Sequence, residues 1–226
     1  MGLKFNSDRR KVLGHFTALA WLAAPVWASA QKAAPASKPL KLLVVGDSLS
    51  AEYGLQRGEG WVSLLQTRLT QQKFDASVVN ASISGDTTAG GRSRLPALLK
   101  QHQPTHVIVE LGGNDALRGL PLASTRDNLA AMVQAAKAAG ATVLLVAMEI
   151  PPNYGRKYAD DFAKVFTDVA ASEKVALAPF FLKGIADVAD PTSMFQADRI
   201  HPLAKAHPQM LDNVWPSLRP LLKQAG

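Results

Sequence analysis

Four short polar segments of the chain carry side chains that could act together in nucleophilic catalysis. They are Gly46-Asp47-Ser48-Leu49-Ser50, residues 82–87, Gly112-Gly113-Asn114-Asp115 and Asp198-Arg199-Ile200-His201-Pro202. Each segment alone is typical of an ordinary turn, because Gly, Asp, Asn and Ser are the residues that turns favour. Together they supply a hydroxyl, an imidazole, a carboxylate and an amide, which is the set that acyl transfer by a serine needs.

The nucleophile that these segments indicate is Ser48. A serine hydroxyl is a poor nucleophile until an adjacent imidazole accepts its proton, and His201 can fill that role. Asp198, three residues before His201, could hold the other ring nitrogen and stabilise the imidazolium. The chain has no cysteine, so cysteine nucleophiles, thiolate metal sites and disulfides are excluded.

A tetrahedral intermediate also needs hydrogen-bond donors for its oxyanion. The backbone N–H groups of Ser48 and Gly85 and the side-chain amide of Asn114 are the predicted donors. Glycine at position 85 suits a backbone that must approach a substrate closely. Asp47 and Asp86 are interpreted as turn and cap residues, and His207 as a surface residue.

The fold must bring these distant segments to one place. Short apolar runs predict buried strands at residues 40–45, 77–81, 106–111, 142–148 and 175–181. Between them, helical patterns span residues 61–73, 92–101, 124–139 and 158–172, and a last helix follows residue 202. The third of these helices is expected to be capped by Ser124 or Thr125 and stopped by Gly140.

Strands that alternate with helices indicate parallel βαβ units with right-handed crossovers. The predicted fold class is therefore α/β, with a five-stranded parallel sheet between helices on both faces. In such sheets, sites lie at the carboxyl ends of the strands, where the first three polar segments follow the first three strands. All four segments are expected to meet at that edge.

The N-terminal 30 residues have the pattern of a secretory signal peptide. A basic start with Lys4, Arg9, Arg10 and Lys11 precedes an uncharged apolar stretch, and Ala28-Ser29-Ala30 matches a cleavage site. Export to the periplasm or secretion is expected; an uncleaved membrane anchor is the alternative, and Arg9-Arg10 also resembles a twin-arginine signal. Residues 31–39 are interpreted as a flexible leader, and residues 40–226 as one domain.

The net charge argues against a nucleic-acid partner. The full chain carries +7, but residues 1–30 hold four of its 25 basic and one of its 18 acidic residues, so the remainder carries only +4. No run of basic residues with interleaved aromatics occurs. No stable membrane insertion is expected after processing, and the expected state is a monomer that binds a small molecule.

The four segments, with Gly85, Asn114 and the Asp198/His201 spacing, resemble the four sequence blocks of the GDSL, or SGNH, hydrolases. Within that family, the chain is most similar to the exported thioesterase I, protease I, lysophospholipase L1 and arylesterase group, and the similarity spans most of residues 40–226. The resemblance implies a flavodoxin-like three-layer fold, with Ser48, Asp198 and His201 as the triad and Ser48, Gly85 and Asn114 as oxyanion donors. It implies no cofactor and no metal.

The resemblance also implies a mobile segment that closes over acyl chains. Its residues are Asp115, Ala116, Leu117, Arg118, Gly119, Leu120 and Pro121. One departure from the family pattern is Arg199, where the family often has glycine, so the local backbone or the access to the site is expected to differ. The implied substrates are esters, aryl esters and thioesters of short to medium acyl chains.

Other functions fit these residues less well. A carbohydrate acetyl-esterase is the first alternative, because fold does not set substrate. An exported domain that binds lipid without catalysis is the second. The α/β-hydrolase fold fits poorly, since its Gly-x-Ser-x-Gly motif would need glycine where Ser50 stands. A metal hydrolase is disfavoured, because Pro104 separates His102 from His106, which are interpreted as loop and strand-edge residues.

Overall fold

A computed structural model describes residues 39–222 of the protein as an alternation of strands and helices. The strands are β1 (Leu40–Gly46), β2 (Ala76–Asn80), β3 (His106–Glu110), β4 (Thr142–Val146) and β5 (Ala176–Ala178). The helices are α1 (Trp61–Gln71), α2 (Thr88–His102), α3 (Gly113–Leu117), α4 (Leu122–Ala138), α5 (Arg156–Glu173) and α6 (His207–Leu218). The predicted signal peptide and residues 31–38 of the predicted leader lie outside the described residues.

The five strands form one parallel sheet in the order β2-β1-β3-β4-β5, which confirms the predicted α/β class. Strand β2 lies on one side of β1, and β3, β4 and β5 follow in order on the other side. With right-handed crossovers, this order places α1 on one face of the sheet and α2, α4 and α5 on the other. The contacts agree: α2 packs against α4, α4 against α5, and α1 against α6. The helices therefore cover both faces.

The register of the strands sets the position of the loops. Val44 of β1 pairs with Asn80 of β2 and with Ile108 of β3, and Gly46 pairs with Glu110. The loops after these three strands consequently start at the same edge of the sheet. This edge lies where the strand order reverses, which is the usual place for a ligand site in an open parallel sheet.

The core on either side of the sheet is apolar and aromatic. Trp61 packs edge-on against Phe181 with ring centres 5.5 Å apart, and Phe162 packs the same way against Phe166 at 5.3 Å. All four side chains are fully buried. Burying aromatic side chains of this size is a main source of folding free energy, and edge-to-face pairs add about 1 kcal/mol each.

Helix α2 begins at Thr88, four residues before the predicted start. Thr87 caps it, since its hydroxyl accepts a hydrogen bond from the N–H of Gly90 at 3.4 Å. Gly90 and Gly91 in the first turn hid this start, because glycine is a poor helix former. Packing explains Gly91, since a Cβ there would lie 2.3 Å from Cδ1 of Leu111.

The other boundaries differ for local reasons. Helix α4 starts after Pro121, and neither Ser124 nor Thr125 caps it, so that prediction was wrong; Thr125 is instead buried, with its hydroxyl 3.5 Å from Asp115. Residues 113–117, expected to be a loop, form the short helix α3. The predicted strands at 142–148 and 175–181 are shorter, because pairing between β4 and β5 covers only three residue pairs.

No helix among residues 39–222 combines the length and the apolar character that a membrane crossing requires.

Candidate active site

Ser48 lies in a tight turn directly after β1. The N–H groups of Ser50 and Ala51 both donate to the carbonyl of Asp47, and the carboxylate Oδ1 of Asp47 accepts the N–H of Leu49 at 3.0 Å. Strand β1 must end in glycine here, because a Cβ at Gly46 would lie 2.7 Å from the Oγ of Ser50. The turn leaves the side chain of Ser48 partly exposed above a buried loop.

The structure brings Ser48, His201 and Asp198 into one hydrogen-bonded chain. The Nε2 atom of His201 lies 2.9 Å from the Oγ of Ser48, and its Nδ1 lies 2.7 Å from the Oδ2 of Asp198. The Oδ1 atom of Asp198 accepts the N–H groups of Ile200 at 2.9 Å and His201 at 3.0 Å. Desolvation opposes ionisation of Asp198, but these hydrogen bonds outweigh it and lower its pKa to about 2.

A folded-back loop holds Asp198 and His201 in this position. Gln196 donates its N–H to the carbonyl of His201 at 2.8 Å, and Arg199 donates its own to the carbonyl of Gln196 at 2.9 Å. Arg199 reverses the chain with a φ of 59°, in the left-handed region that favours glycine. Arg199, which stands where the family often has glycine, therefore keeps the turn but adopts a backbone conformation that only glycine adopts without strain.

Tyr53 supports the imidazole from one side. Its ring centre lies 4.2 Å from that of His201 at a tilt of 36°. Gln196 ties the two together, because its side-chain amide donates to the carbonyl of Tyr53 at 2.9 Å. Tyr53 is not among the residues predicted from the sequence, because its position five residues after Ser48 gives no chemical signal.

The three predicted oxyanion donors follow β1, β2 and β3. Asn114 lies in α3, and its Nδ2 donates to Oδ2 of Asp47 at 3.1 Å, which leaves a second N–H available. The N–H groups of Ser48 and Gly85 have no hydrogen-bond partner among residues 39–222. Gly85 has a φ of 78°, and its carbonyl accepts a hydrogen bond from Arg118 at 2.9 Å.

Gly112 sets the direction in which α3 leaves the sheet. Its φ is 121°, and a Cβ there would lie 3.0 Å from Cζ of Phe166. Only glycine fits both the backbone and the packing, so Gly112 allows β3 to turn directly into the helix that carries Asn114.

A cavity of about 640 Å³ opens beside Ser48, Asn114 and His201. Its lining is mainly apolar and includes Leu117, Met148, Ile150, Phe180, Leu182 and Phe195. Glu149, Asp187 and Arg199 also line it. Burial, with a further contribution from the charge of Asp187, raises the pKa of Glu149. The cavity thus joins an apolar chamber to a serine, an imidazole and an amide.

Most of the segment expected to bind substrate lies outside this cavity. Of residues 115–121, Leu117 alone is part of the lining. Asp115 and Ala116 are buried, and Asp115 accepts hydrogen bonds from both the N–H and the hydroxyl of Thr88, so neither side chain lines the cavity, and a role for them in substrate binding stays a prediction. Arg118, Gly119, Leu120 and Pro121 are exposed, and Arg118 instead holds the Gly85 loop.

Beneath Ser48 lies a buried polar cluster that the sequence analysis missed. The Oγ atom of Ser50 lies 2.6 Å from Oε2 of Glu110 and accepts the indole N–H of Trp61 at 3.0 Å. Glu110 is fully buried, and burial, reinforced by the charge of Asp47, raises its pKa well above the usual range. Burial likewise raises the pKa of Asp47 to about 6. In the sequence, Glu110 lies within the apolar run that predicts a buried strand. Its charge in that run was the only sign that it has a polar role.

The interpretation of His207 as a surface residue was wrong. Its side chain is buried, and its Nδ1 accepts the N–H of Trp61 at the start of α1, 3.0 Å away. Burial lowers the pKa of His207, which keeps the ring in the neutral form that this hydrogen bond needs. Asp86 lies in a turn, as predicted, since its N–H donates to the carbonyl of Ile83, but Thr87 and not Asp86 caps α2. The carboxylate of Asp86 accepts the N–H of Thr87 and pairs with Arg94 at 2.8 Å.

The two histidines considered for a metal site lie apart from Ser48. His102 ends α2, and His106 begins β3, where its Nε2 lies 2.9 Å from the carbonyl of Leu221. Within residues 39–222, no three His, Cys, Asp or Glu side chains form a group that could hold a metal ion.

Comparisons with known proteins agree with this geometry. The GDSL-like Lipase/Acylhydrolase family matches residues 44–208, which include all four polar segments. Esterase TesA of Pseudomonas aeruginosa is 56% identical over 181 residues, covering 80% of this chain and 89% of that protein. Thioesterase 1/protease 1/lysophospholipase L1 of Escherichia coli K12 is 44% identical over 181 residues, covering 80% and 84%. A crystal structure of TesA superimposes with a TM-score of 0.77, covering 80% of this chain and 99% of that one.

Proposed function

The chain belongs to the GDSL-like lipase/acylhydrolase family, and we propose that it is a serine esterase that hydrolyses carboxylic esters and thioesters of short to medium acyl chains. The observation that carries this proposal is the chain of hydrogen bonds from Ser48 through His201 to Asp198, next to an apolar cavity. The names of the relatives, an esterase and a thioesterase, support the reaction class.

In the first half of the reaction, His201 accepts the proton of Ser48 as its Oγ attacks the acyl carbon. The 2.9 Å separation between Nε2 and Oγ is within the range for this transfer. Asp198 remains ionised, because its pKa is about 2, and it stabilises the imidazolium that forms. His201 then gives the proton to the leaving alcohol or thiol, and an acyl-enzyme at Ser48 remains.

In the second half, His201 activates a water that attacks the acyl-enzyme, and the carboxylic acid leaves. Both tetrahedral intermediates carry an oxyanion, which the N–H groups of Ser48 and Gly85 and the free N–H of Asn114 stabilise. The backbone N–H groups of Ser48 and Gly85 have no other partner in the described part of the chain, so they need not break a hydrogen bond before they bind the oxyanion.

The apolar lining supports an acyl chain as the group held in the cavity. Met148, Ile150, Phe180 and Leu182 offer dispersion contacts and exclude water, and each buried methylene of a substrate contributes about 0.8 kcal/mol. Substrates should therefore improve as the acyl chain lengthens until the chamber is full. Acetylated sugars, which have a minimal acyl group and a polar alcohol, gain least from such a chamber.

The test uses the full chain produced in a bacterial host and recovered from the periplasmic fraction. Its mass should correspond to cleavage after Ala30, which tests export and processing together. Hydrolysis of p-nitrophenyl butyrate should proceed in the presence of a chelator and be lost in Ser48→Ala. Activity that survives in Ser48→Ala, or that the chelator abolishes, would contradict the mechanism.

The substrate class is resolved by comparing kcat/KM across a panel, because discrimination between substrates lies in that ratio. The panel contains aryl esters and acyl-CoAs with chains of two to twelve carbons, lysophospholipids and acetylated sugars. We expect the aryl esters and acyl-CoAs of intermediate length to react fastest. A preference for acetylated sugars would replace the proposal with a carbohydrate acetyl-esterase.

A further inference from the structure

We infer that Asp47 is the positioning residue for the oxyanion amide of Asn114. The inference rests on the proposed function and concerns a residue that the sequence analysis interpreted only as a turn former. Asp47 accepts hydrogen bonds from two sides: Leu49 N–H binds Oδ1 at 3.0 Å, and Asn114 Nδ2 binds Oδ2 at 3.1 Å. One carboxylate therefore joins the loop of the nucleophile to the side chain of the third oxyanion donor.

The chemistry of the carboxylate fixes which way the Asn114 amide faces. An ionised carboxylate only accepts hydrogen bonds, so it attracts the NH₂ of an amide and repels its oxygen. With Nδ2 held by Asp47, one N–H is occupied and the other is free for the oxyanion. A flipped Asn114 would place its Oδ1 against Asp47 and remove both donors from their positions, so Asp47 selects the catalytic orientation.

The buried neighbour Glu110 decides where the negative charge resides. Two carboxyl groups close together and away from water do not both ionise, so one keeps a proton. Asp47 has two N–H donors, whereas Oε1 of Glu110 has no hydrogen-bond partner in the described part of the chain and its Oε2 lies 2.6 Å from the hydroxyl of Ser50. Asp47 is the better-solvated anion, and Glu110 holds the proton.

The burial of Asp47 strengthens its effect on Asn114. Its side chain is only 3% exposed, so little water competes for the carboxylate, and a charge-assisted hydrogen bond in such a site is about twice as strong as one between neutral groups. The groups whose charges act on Asp47 are Glu110 below it, Asp86 in the loop after β2, and His201 above it. The imidazolium that forms at His201 during turnover further favours the ionised Asp47.

The first test is a double-mutant cycle on p-nitrophenyl butyrate hydrolysis. Asp47→Asn keeps the shape of the side chain and an acceptor for Leu49 N–H, but it no longer selects the orientation of Asn114. Asn114→Ala should lower kcat by about a hundredfold, and Asp47→Asn by about tenfold or more, with KM nearly unchanged because the oxyanion exists only in the transition state and the intermediate. The double variant should be within about threefold of Asn114→Ala, because Asp47 acts through a side chain that is already gone.

Additive losses in the double variant would overturn the inference, since Asp47 would then act independently of Asn114. The matched control is Asp190→Asn, the same isosteric change at an aspartate whose Oδ1 also accepts the N–H of the residue two positions ahead, here Thr192 at 3.2 Å. We expect that variant to retain kcat within about threefold, because Asp190 has no hydrogen bond to Asn114 or to the loop of Ser48 within residues 39–222. A loss of kcat equal to that of Asp47→Asn would also overturn the inference, because it would reflect a general effect of replacing a turn carboxylate and not orientation of the amide.

A second measurement needs neither turnover nor a folded Asp47 variant. In ¹⁵N-labelled wild-type protein, the side-chain amide of Asn114, identified by its absence in Asn114→Ala, should show one proton shifted downfield and protected from exchange. Its shift should change as the pH passes about 6, where Asp47 titrates. Two equivalent, rapidly exchanging protons would contradict the inference, whereas failure of Ser48→Ala to abolish activity would contradict the proposed function alone.

Discussion

The left-handed conformation of Arg199 allows a prediction whose sign can be tested. Arg199 lies in the turn between Asp198 and His201 and has a φ of 59°. A residue with a Cβ pays about 1–2 kcal/mol in this region, and glycine does not. Glycine in turn loses about 0.4–1 kcal/mol through the greater freedom of the unfolded chain. The balance favours glycine at position 199 by about 0.5–1 kcal/mol.

The comparison that isolates this strain is between Arg199→Gly and Arg199→Ala. Both variants remove the guanidinium from the cavity, so they differ only in backbone preference. For a domain of this size, 0.5–1 kcal/mol corresponds to a rise in Tm of about 1–4 °C, and we expect the glycine variant to have the higher Tm. Thermal unfolding followed by circular dichroism is sufficient to detect it.

Arg126 provides the matched control, because it is exposed within α4, where the backbone is helical. There the glycine variant should be less stable than the alanine variant by about 1 kcal/mol. The two positions should therefore respond with opposite signs to the same pair of substitutions. Equal signs, or an alanine variant at position 199 as stable as the glycine variant, would refute the assignment of strain to Arg199.

Two further predictions concern Asp198, the proposed acid of the triad, and Gly112, which precedes α3. Asp198→Asn should lower kcat by about 10³-fold or more. The pKa of Asp198 is lowered to about 2, so the ionised carboxylate stabilises the fold above pH 4, and this stabilisation is lost as the pH falls toward 2. The difference in Tm between the wild type and Asp198→Asn should therefore shrink between pH 4 and pH 2. A difference that stays constant over this range would contradict the prediction. Gly112→Ala should cost about 2–3 kcal/mol in unfolding free energy and also lower kcat, because the new Cβ meets Phe166 and shifts Asn114. Gly140→Ala, with a φ of 81° and no atom within 4 Å of the new Cβ, should cost less and leave kcat unchanged in the same assays.

The centre of the sheet was predictable from the sequence because β1, β3 and β4 are almost entirely buried, whereas the edge strands β2 and β5 are only partly buried. Every residue of β3 is buried, and the apolar run of β1 ends at Gly46, where the strand ends. Helix α3 was not predictable in the same way, since Gly113 and Asn114 are weak helix formers and tertiary packing imposes the turn. The alternation of strands and helices thus gave the class and the edge, but not this helix.

The residues of the predicted triad could be proposed from the sequence because their types together suit acyl transfer and their spacing resembles that of a known family. Their supports were not, because each depends on contacts between residues far apart in the chain. Asp47 meets Asn114 across 67 positions, and His207 meets Trp61 across 146. No local pattern distinguishes an aspartate that forms a turn from one that also orients an amide, and His207 lies in a stretch whose neighbours include polar and exposed residues.

The span between Ser48 and His201 has a consequence for how the protein gains activity as it folds. Their hydrogen bond joins positions 153 residues apart in the sequence. The loop of His201 follows β5, which is the last strand in the sequence and lies at the edge of the sheet. A chain that has collapsed around β1, β2 and β3 alone would contain the proposed nucleophile and oxyanion donors but not His201, the proposed base. Under the proposed mechanism, turnover can begin only when the loop of His201 has packed against that of Ser48, so enzymatic activity should report this late contact, whereas secondary-structure content does not.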